Sequence, residues 1–241
     1  MNILITGGNS GIGAATAKEL ASNNKIFITY LKNKEKAQLI AKEIRALGGE
    51  CVLIYADIST VEGCRRVFEE ISYCTNTLDV LINCAGGLVS RVKTPQITWA
   101  DMLAVFSLNV FSAMQLTSLM IPLLEKADSP CIVNITSGAI LSGSSGAPLY
   151  ASAKGALDVF TKSISRDIAP RIRANSIAPG IVETPFHDGI TNEQTLKAWS
   201  IENPLRRNGE PKEIAHAVRF CIENTFLNGT RIEVDGGKKG I

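Results

Sequence analysis

The sequence predicts an α/β fold: a doubly wound, parallel seven-stranded sheet with helices on both faces. Short β-branched runs alternate with longer segments of helical periodicity along all 241 residues. The strand segments are apolar on both faces, as in a parallel sheet that is covered by helices on each side. No shift in composition marks a linker, so we expect a single domain spanning residues 1–241.

The first half of the chain contains four strands and three helices in alternation. Its strands are runs rich in isoleucine, leucine and valine, and its second helix stops at the glycine pair Gly48–Gly49. The predicted strands are 2–6, 25–30, 51–58 and 79–86, and the predicted helices are 12–23, 34–49 and 61–73.

The second half repeats this pattern with longer helices. A strongly apolar helix and a second long helix each follow a strand, and the sixth strand closes on Pro179–Gly180. The predicted helices are 99–126, 149–169 and 211–224, and the predicted strands are 130–137, 172–180 and 230–237. In such sheets, ligands bind outside the carboxyl ends of the strands, so we expect the site there.

Composition argues against several classes of protein. The net charge is +2 and the basic residues are scattered, which disfavours nucleic-acid binding. We expect no signal peptide, no apolar run of transmembrane length and no membrane association. Six dispersed cysteines without a CxxC pair indicate reduced thiols in a cytoplasmic protein, and the two histidines show no metal-ligand spacing.

A glycine-rich loop follows the first predicted strand, with the spacing Gly7-x-x-x-Gly11-x-Gly13. Glycines let backbone N–H groups approach a pyrophosphate, and the N-terminus of the next helix carries partial positive charge. A tight strand–helix turn without a ligand is the alternative. Because the loop opens a βαβ series, we expect it to bind a dinucleotide.

The end of the second strand bears on the choice of cofactor. It carries Tyr30 and Lys32, and the first acidic residue, Glu35, falls in the following helix. An acidic residue would bind the adenosine ribose of NAD(H), whereas Lys32 would attract the 2′-phosphate of NADP(H). We therefore expect NADP(H) to be favoured over NAD(H), the alternative being that Lys32 is only a solvated charge.

Two further strand ends supply candidate cofactor contacts. Asp57 and Ile58 can bond the adenine amino group through a carboxylate and the backbone, or Asp57 can instead cap the next helix. Asn83, Ala85 and Gly86 follow the fourth strand, and small residues there would let a ribose lie close.

Tyr150 and Lys154 stand one helical turn apart at the start of the second long helix, after a strand whose end carries Ser137. A cation beside a phenol favours the phenolate, so we expect Lys154 to lower the pKa of Tyr150. Tyr150 would then exchange a proton with a substrate oxygen that Ser137 orients. No G-x-S-x-G elbow surrounds Ser137, which argues against a hydrolase.

Asn109 lies in the middle of the apolar helix 99–126, where asparagine is unfavourable. Either its amide is satisfied by neighbouring backbone, or it disturbs the helix so that water reaches Lys154.

Together these residues resemble the classical short-chain dehydrogenase/reductase family over essentially the whole chain. The residues that carry the resemblance are Thr6-Gly7-Gly8-Asn9-Ser10-Gly11-Ile12-Gly13, Asp57, Asn83-Cys84-Ala85-Gly86, Asn109, Ser137, Tyr150, Lys154, Pro179-Gly180 and Thr184. The resemblance implies a Rossmann-type fold and a catalytic tetrad of Asn109, Ser137, Tyr150 and Lys154.

It also implies that Tyr150 acts as general acid in carbonyl reduction and that Lys154 binds the nicotinamide ribose. Ile181 and Thr184 would hold the nicotinamide carboxamide. One departure is Cys84, which replaces the second asparagine of the usual NNAG and should affect packing more than chemistry.

The substrate is less well defined. "PLRRNGEPKEIAHAVRF" and the terminal "VDGG" look most like 3-oxoacyl-(acyl-carrier-protein) reductases, which makes an acyl thioester one candidate substrate. Residues 124–128 lack the basic character common in those enzymes, which weakens the case for a carrier-protein partner. A sugar, steroid or secondary-metabolite ketone is the enzymatic alternative, and a non-catalytic NADP(H) sensor or scaffold is the alternative of another class.

Residues 183–203 should form a substrate lid, whose aromatic residues can face an apolar substrate or a neighbouring subunit. Arg206 and Arg207 can contact an anionic substrate or remain solvated surface charges. The resemblance also implies a homotetramer or homodimer.

Overall fold

Seven strands form one fully parallel sheet in the computed structural model, which describes residues 1–89, 91–144 and 146–238. Their order across the sheet is β3-β2-β1-β4-β5-β6-β7, which confirms the predicted fold class. The chain reverses direction of winding between β1 and β4, where ligands of such sheets bind. The strands are β1 (Asn2–Ile5), β2 (Lys25–Tyr30), β3 (Glu50–Tyr55), β4 (Val80–Asn83), β5 (Cys131–Ile135), β6 (Arg173–Pro179) and β7 (Arg231–Val234).

Nine α-helices occur within the described residues. Two of them, α6 and α8, were not predicted, and the long helix expected at 99–126 is divided by a π-helical turn at Ser107–Phe111. The helices are α1 (Gly11–Glu19), α2 (Lys34–Ala46), α3 (Val61–Cys74), α4 (Trp99–Phe106), α5 (Ser112–Leu124), α6 (Ala139–Ser142), α7 (Pro148–Asp167), α8 (Glu193–Glu202) and α9 (Pro211–Glu223).

Two apolar cores lie on opposite faces of the sheet. On one face, α1, α2 and α9 pack residues such as Ala17, Ile40 and Val218 against the strands. On the other, α3, α5 and α7 contribute residues such as Met120 and Ile164. Because successive side chains of a strand point to opposite faces, the apolar run of β1 supplies both cores at once.

Several predicted strands extended past their observed ends. The third ends at Tyr55 rather than 58, and the fourth at Asn83 rather than 86. The residues beyond these ends leave the ladder and turn into loops at the carboxyl edge of the sheet. That edge is where the candidate site lies.

The C-terminal end of α9 is held by an arginine of β6. The last carbonyls of a helix have no partner within it, and a buried guanidinium can satisfy several. Arg173 donates from Nη1 to the carbonyl oxygens of Cys221 (2.9 Å), Asn224 (3.1 Å) and Leu227 (3.1 Å), and from Nη2 to that of Ile222 (2.9 Å). This contact fixes α9 against the sheet.

The expectation that no apolar segment approaches transmembrane length was wrong. The helical segment Trp99–Leu124, of 26 residues, contains an 18-residue window of mean hydropathy 1.5 and meets that test by length and composition. Its C-terminal half packs into the core beneath α3, through Leu116, Met120 and Leu123. The core helix of a soluble protein has the same composition, because its apolar residues face the sheet.

Candidate active site

A cavity of about 840 Å³ opens at the carboxyl ends of the strands, above the point where the winding reverses. It extends from the end of β2 to the start of α7. All but two of the predicted site residues line it: Gly7, Asn9, Ser10, Gly11, Ile12, Gly13, Tyr30, Lys32, Asp57, Ile58, Ala85, Gly86, Ser137, Tyr150, Lys154, Pro179, Gly180, Ile181 and Thr184. The exceptions are Asn83 and Asn109.

The glycine loop has the shape of an anion cradle. Gly7 and Gly11 have φ angles of +66° and +50°, a conformation that disfavours side chains, and a Cβ on Gly13 would lie 2.4 Å from the carbonyl oxygen of Gly7. The N-cap residue of α1, Ser10, makes no side-chain capping bond, and the first turn holds no acidic residue. The amides at this helix start therefore remain available to a phosphate, so the loop fits a dinucleotide.

Two buried threonines shape the loops of the cavity. The amide of Gly7 donates to Thr29 Oγ1 at 3.0 Å. Thr6 Oγ1 accepts from the amides of Cys84 (3.0 Å) and Ala85 (2.9 Å). Neither threonine was predicted to have a role in the site. Thr6 did offer a signal in the sequence, because it is a polar residue at the end of an apolar strand.

At the adenosine end, the loop after β2 lies against the glycine loop. Asn9 Nδ2 donates to the carbonyl oxygen of Lys32 at 3.0 Å. Asn33 caps α2 by accepting from the amide of Lys36 at 2.9 Å, and Lys36 also lines the cavity. Two lysines therefore flank this end, although only Lys32 was predicted.

Asp57 lines the same end of the cavity. Its Oδ1 accepts from the amide (3.0 Å) and the hydroxyl (2.6 Å) of Ser59. The N-cap of α3 is Thr60, whose hydroxyl accepts from Gly63. Asp57 thus orders the turn that precedes α3. The alternative that it caps this helix holds only in part, because the cap itself is Thr60.

Asn83 differs from the other predicted cofactor contacts in the direction of its side chain. Only 3% of this residue is exposed, and its Nδ2 donates to Asn134 Oδ1 at 2.8 Å. The two asparagines stand opposite each other in the β4–β5 ladder. The side chain of Asn83 therefore points into the interior of the protein, away from the cavity.

The structure brings Ser137, Tyr150 and Lys154 to one wall of the cavity. Ser137 follows β5, while Tyr150 and Lys154 lie on the first turns of α7. Lys154 is 3% exposed; its Nζ donates to the carbonyl oxygen of Ile135 at 2.8 Å and lies 5.9 Å from the centroid of the Tyr150 ring. The ammonium is thus anchored by β5 on one side and faces the phenol on the other.

The expected lowering of the Tyr150 pKa was wrong. Burial raises the pKa of Tyr150 to about 12, and the opposing effect of a hydrogen bond with Ser137 is smaller. Burial also lowers the pKa of Lys154 to about 8. Desolvation therefore sets the direction of both pKa shifts. Tyr150 keeps its proton at neutral pH, which suits a proton donor.

Asn109 sits in the π-helical turn, and its amide is satisfied by neighbouring backbone, as the first interpretation expected; access of water to Lys154 stays a prediction. Its Nδ2 donates to the carbonyl oxygens of Val105 and Gly87, each at 2.9 Å, and its Oδ1 accepts from the amide of Gly87 at 3.0 Å. Backbone therefore satisfies the amide, in a helix that is locally widened.

The Asn109 amide also lies close to Lys154. A Cβ placed on Gly86 would lie 2.7 Å from Asn109 Oδ1 and 2.9 Å from Lys154 Nζ. Both polar groups therefore border the same small space beside the cavity wall. The absence of a side chain at position 86 keeps that space open.

The predicted lid, residues 183–203, contains a short 3₁₀ turn (Pro185–His187) and α8. Aromatic rings continue from Tyr150 to Phe186 (centroids 5.6 Å apart), to His187 (5.2 Å) and to Trp199 (6.0 Å). These four rings, here called the aromatic row, line the cavity.

Arg206 and Arg207, which were considered as contacts of an anionic substrate or as solvated surface charges, do not line the cavity. Arg207 pairs with Glu213 at 2.6 Å, and Arg206 Nη1 donates to the carbonyl oxygen of Ile201 at 2.5 Å. The described ranges contain no cluster of three potential metal ligands.

Known proteins resemble this chain along nearly its full length. A family model described as enoyl-(acyl carrier protein) reductase matches residues 7–239. Carbonyl reductase family member 4 from Danio rerio is 34% identical over 240 residues, covering 97% of this chain and 96% of that protein. A 3-oxoacyl-(acyl-carrier-protein) reductase from Synechocystis sp. is 31% identical over 243 residues, covering 97% and 95%.

A solved structure extends the likeness to three dimensions. The short-chain dehydrogenase from Burkholderia cenocepacia, in complex with NADP, has a TM-score of 0.88 and 31% identity, and the match covers 98% of this chain and 96% of that one. The chain therefore belongs to the short-chain dehydrogenase/reductase family, whose members are NAD(P)-dependent oxidoreductases.

Proposed function

We propose that this protein is an NADP(H)-dependent carbonyl reductase in which Tyr150 is the general acid. The observation that carries the proposal is the placement of Ser137, Tyr150 and Lys154 on one wall of a cavity whose far end is the glycine loop. A hydride donor and a proton donor must reach the two atoms of one carbonyl group. In this cavity, a dinucleotide on the glycine loop would provide the hydride, and Tyr150 on the wall would provide the proton.

When bound, the nicotinamide supplies the hydride. Tyr150 donates its phenolic proton to the carbonyl oxygen, and Ser137 donates a hydrogen bond that orients the same oxygen. Lys154 faces the phenol and favours the phenolate left after proton transfer. Asn109 acts as a positioning residue, because its amide holds the Gly87 backbone beside Lys154.

The preference for NADP(H) is supported by charge at the adenosine end. Lys32 and Lys36 both line the cavity there. Asp57 is the acidic residue at this end, and its Oδ1 is engaged by Ser59. The 2′-phosphate of NADP(H) would gain two cationic neighbours, whereas a 2′-hydroxyl would meet no equivalent carboxylate after β2.

For the substrate, a 3-oxoacyl thioester fits the aromatic row and the likeness to the Synechocystis enzyme. Reduction of a sugar, steroid or secondary-metabolite ketone is the alternative at the same site. We also propose a cytoplasmic homotetramer or homodimer. Exposed apolar residues on α4 and α7, among them Trp99, Leu103 and Val159, support an association through these helices.

The decisive experiment compares wild-type protein with Tyr150→Phe. We expect the variant to lose at least 100-fold in kcat, since general acid catalysis contributes about that much, while its affinity for NADPH stays within about twofold. Tyr73→Phe is the matched control, because Tyr73 is 89% exposed and outside the cavity. NADPH oxidation is followed with acyl thioesters, sugars and cyclic ketones.

Substantial turnover by Tyr150→Phe would refute the role of Tyr150. Tight NADPH binding by the wild type, with no turnover of any carbonyl compound in the panel, would instead favour a sensor or scaffold.

A further inference from the structure

The substrate half of the cavity lies opposite the glycine loop, between the loop after β4, the loop before α7 and the lid. Its lining is largely apolar and aromatic, with Leu88, Phe186 and Trp199 among its residues. Arg91, on the loop after β4, lies at the exposed rim of this half. A guanidinium beside an apolar surface is a recognition element where no acidic side chain neutralises it.

Arg91 reaches across the mouth of the cavity. Its Nη2 donates to Thr191 Oγ1 of the lid at 3.4 Å, and its Nη1 lies 3.8 Å from where a Cβ on Gly146 would stand. The guanidinium therefore lies between all three loops. The bond to Thr191 is long and its acceptor is neutral, so most of the donors of Arg91 remain free for another partner.

Arg91 forms no ion pair within the described part of the chain. None of the ten ion pairs formed by residues 1–89, 91–144 and 146–238 includes it. Lys238, another cation of the cavity lining, is paired with Glu202 at 3.1 Å. The field of Arg91 reaches His187: burial has the larger effect and lowers the pKa of His187, the charge of Arg91 lowers it further, and Asp188 opposes both with a smaller effect.

The aromatic row connects Arg91 to the proposed reaction centre. It begins at Tyr150 and passes through Phe186 to His187, whose Nδ1 lies 3.3 Å from the Thr191 hydroxyl that Arg91 contacts. A ligand that spans this distance would place one end on the phenol and the other on the guanidinium. Its middle would lie against aromatic rings.

We propose that Arg91 binds an oxyanion of the substrate, so that the enzyme reduces carbonyl compounds with an apolar body and a carboxylate or phosphate at the far end. This inference rests on the proposed function and adds the substrate class. A planar guanidinium matches both oxyanions through paired N–H donors. The bound anion also contacts the lid through Arg91 and Thr191, which couples recognition to the position of residues 183–203.

The test uses NADPH and matched pairs of oxo compounds, each a free oxo acid and its methyl ester, over several chain lengths. Ketones that carry a phosphate in place of the carboxylate form a third arm, which separates the two oxyanions. The variants are Arg91→Leu and Arg91→Lys. Arg65→Leu is the control, because it removes the same charge from an exposed position of α3 outside the cavity.

We expect the wild type to prefer an anionic member of a pair, with Arg91→Leu lowering its kcat/KM by about 10- to 100-fold, mainly through KM. The methyl ester should change by less than about twofold, and Arg91→Lys should recover part of the loss. Arg65→Leu should leave both members of the pair unchanged.

Equal loss for acid and ester would overturn the inference, because Arg91 would then act only on the lid. Equal losses of kcat/KM in Arg65→Leu and Arg91→Leu would also overturn it, because the loss would then come from the net charge of the protein and not from a contact with Arg91. If the wild type reduces neutral ketones and no anionic compound, the inference fails while the proposed function stands.

If the wild type reduces nothing in the panel, the proposed function fails and the inference is judged by binding. Calorimetric titration of oxo acids into the NADPH-loaded protein should then show binding that Arg91→Leu abolishes. No binding to the wild type would refute the inference independently.

Discussion

Replacing Lys154 by methionine should change how stability depends on pH. Burial lowers the pKa of Lys154 from 10.5 to about 8. Between these two values the unfolded chain binds a proton that the folded protein does not, so stability rises with pH across that window. From pH 7 to pH 10 this group should add about 2 to 3 kcal/mol to the free energy of unfolding.

Lys154→Met removes this contribution. We expect urea unfolding, measured without added cofactor, to show the wild type gaining about 2 to 3 kcal/mol relative to Lys154→Met between pH 7 and pH 10. Burial raises the pKa of Cys51, Cys64 and Cys131, and Lys154 is not among the causes of these shifts, so their ionisation opposes stability at high pH in both proteins and cancels in the comparison. Cys84 is coupled to Lys154 and does not cancel.

The matched control is Lys42→Met, which removes an exposed lysine from α2. Its free energy of unfolding should track that of the wild type across the same range. Parallel curves for wild type and Lys154→Met would refute the reasoning, because they would show that burial does not shift Lys154.

Three more substitutions test the loop, a helix end and cofactor choice. Gly13→Ala would place a Cβ 2.4 Å from the Gly7 carbonyl oxygen, so it should cost about 1 to 3 kcal/mol in urea unfolding and weaken NADPH binding; unchanged affinity would contradict this. Arg173→Met removes four hydrogen bonds to α9 and its following loop and should lower the free energy of unfolding by about 3 to 5 kcal/mol. An equal loss in Arg65→Met, at an exposed position, would contradict this reasoning. Lys32→Ala should weaken NADPH about tenfold in fluorescence titration with little change for NADH, and equal effects on both would remove the cofactor argument.

The sheet and the cofactor loop could be predicted from the sequence because their signals are local. Apolar runs of four to six residues mark the strands, and the glycines Gly7, Gly11 and Gly13 are required by the turn in which they occur. Parallel pairing then brings the ends of separate strands together. Ser137 was expected near Tyr150 because it ends the strand that precedes the helix of Tyr150.

Features set by distant contacts could not be predicted in the same way. The high pKa of Tyr150 depends on its burial in the folded protein, which outweighs the opposing hydrogen bond with Ser137. Arg91 was missed since only the folded loops bring it to the cavity. The inward orientation of Asn83 had a usable signal, because Asn134 also lies near the end of its strand and parallel register pairs the two.

The π turn at Ser107–Phe111 is the result of one residue more than an α-helical path needs. Deleting one residue there would let α4 and α5 join as an unbroken α-helix. Each of the two helices would keep the side that now packs against the rest of the protein. The bonds of Asn109 to Val105 and Gly87 would be lost, while the packing of α5 beneath α3 would survive. The turn that holds Asn109 thus depends on one extra residue. Removing that residue would remove the turn but would keep the helix on either side of it.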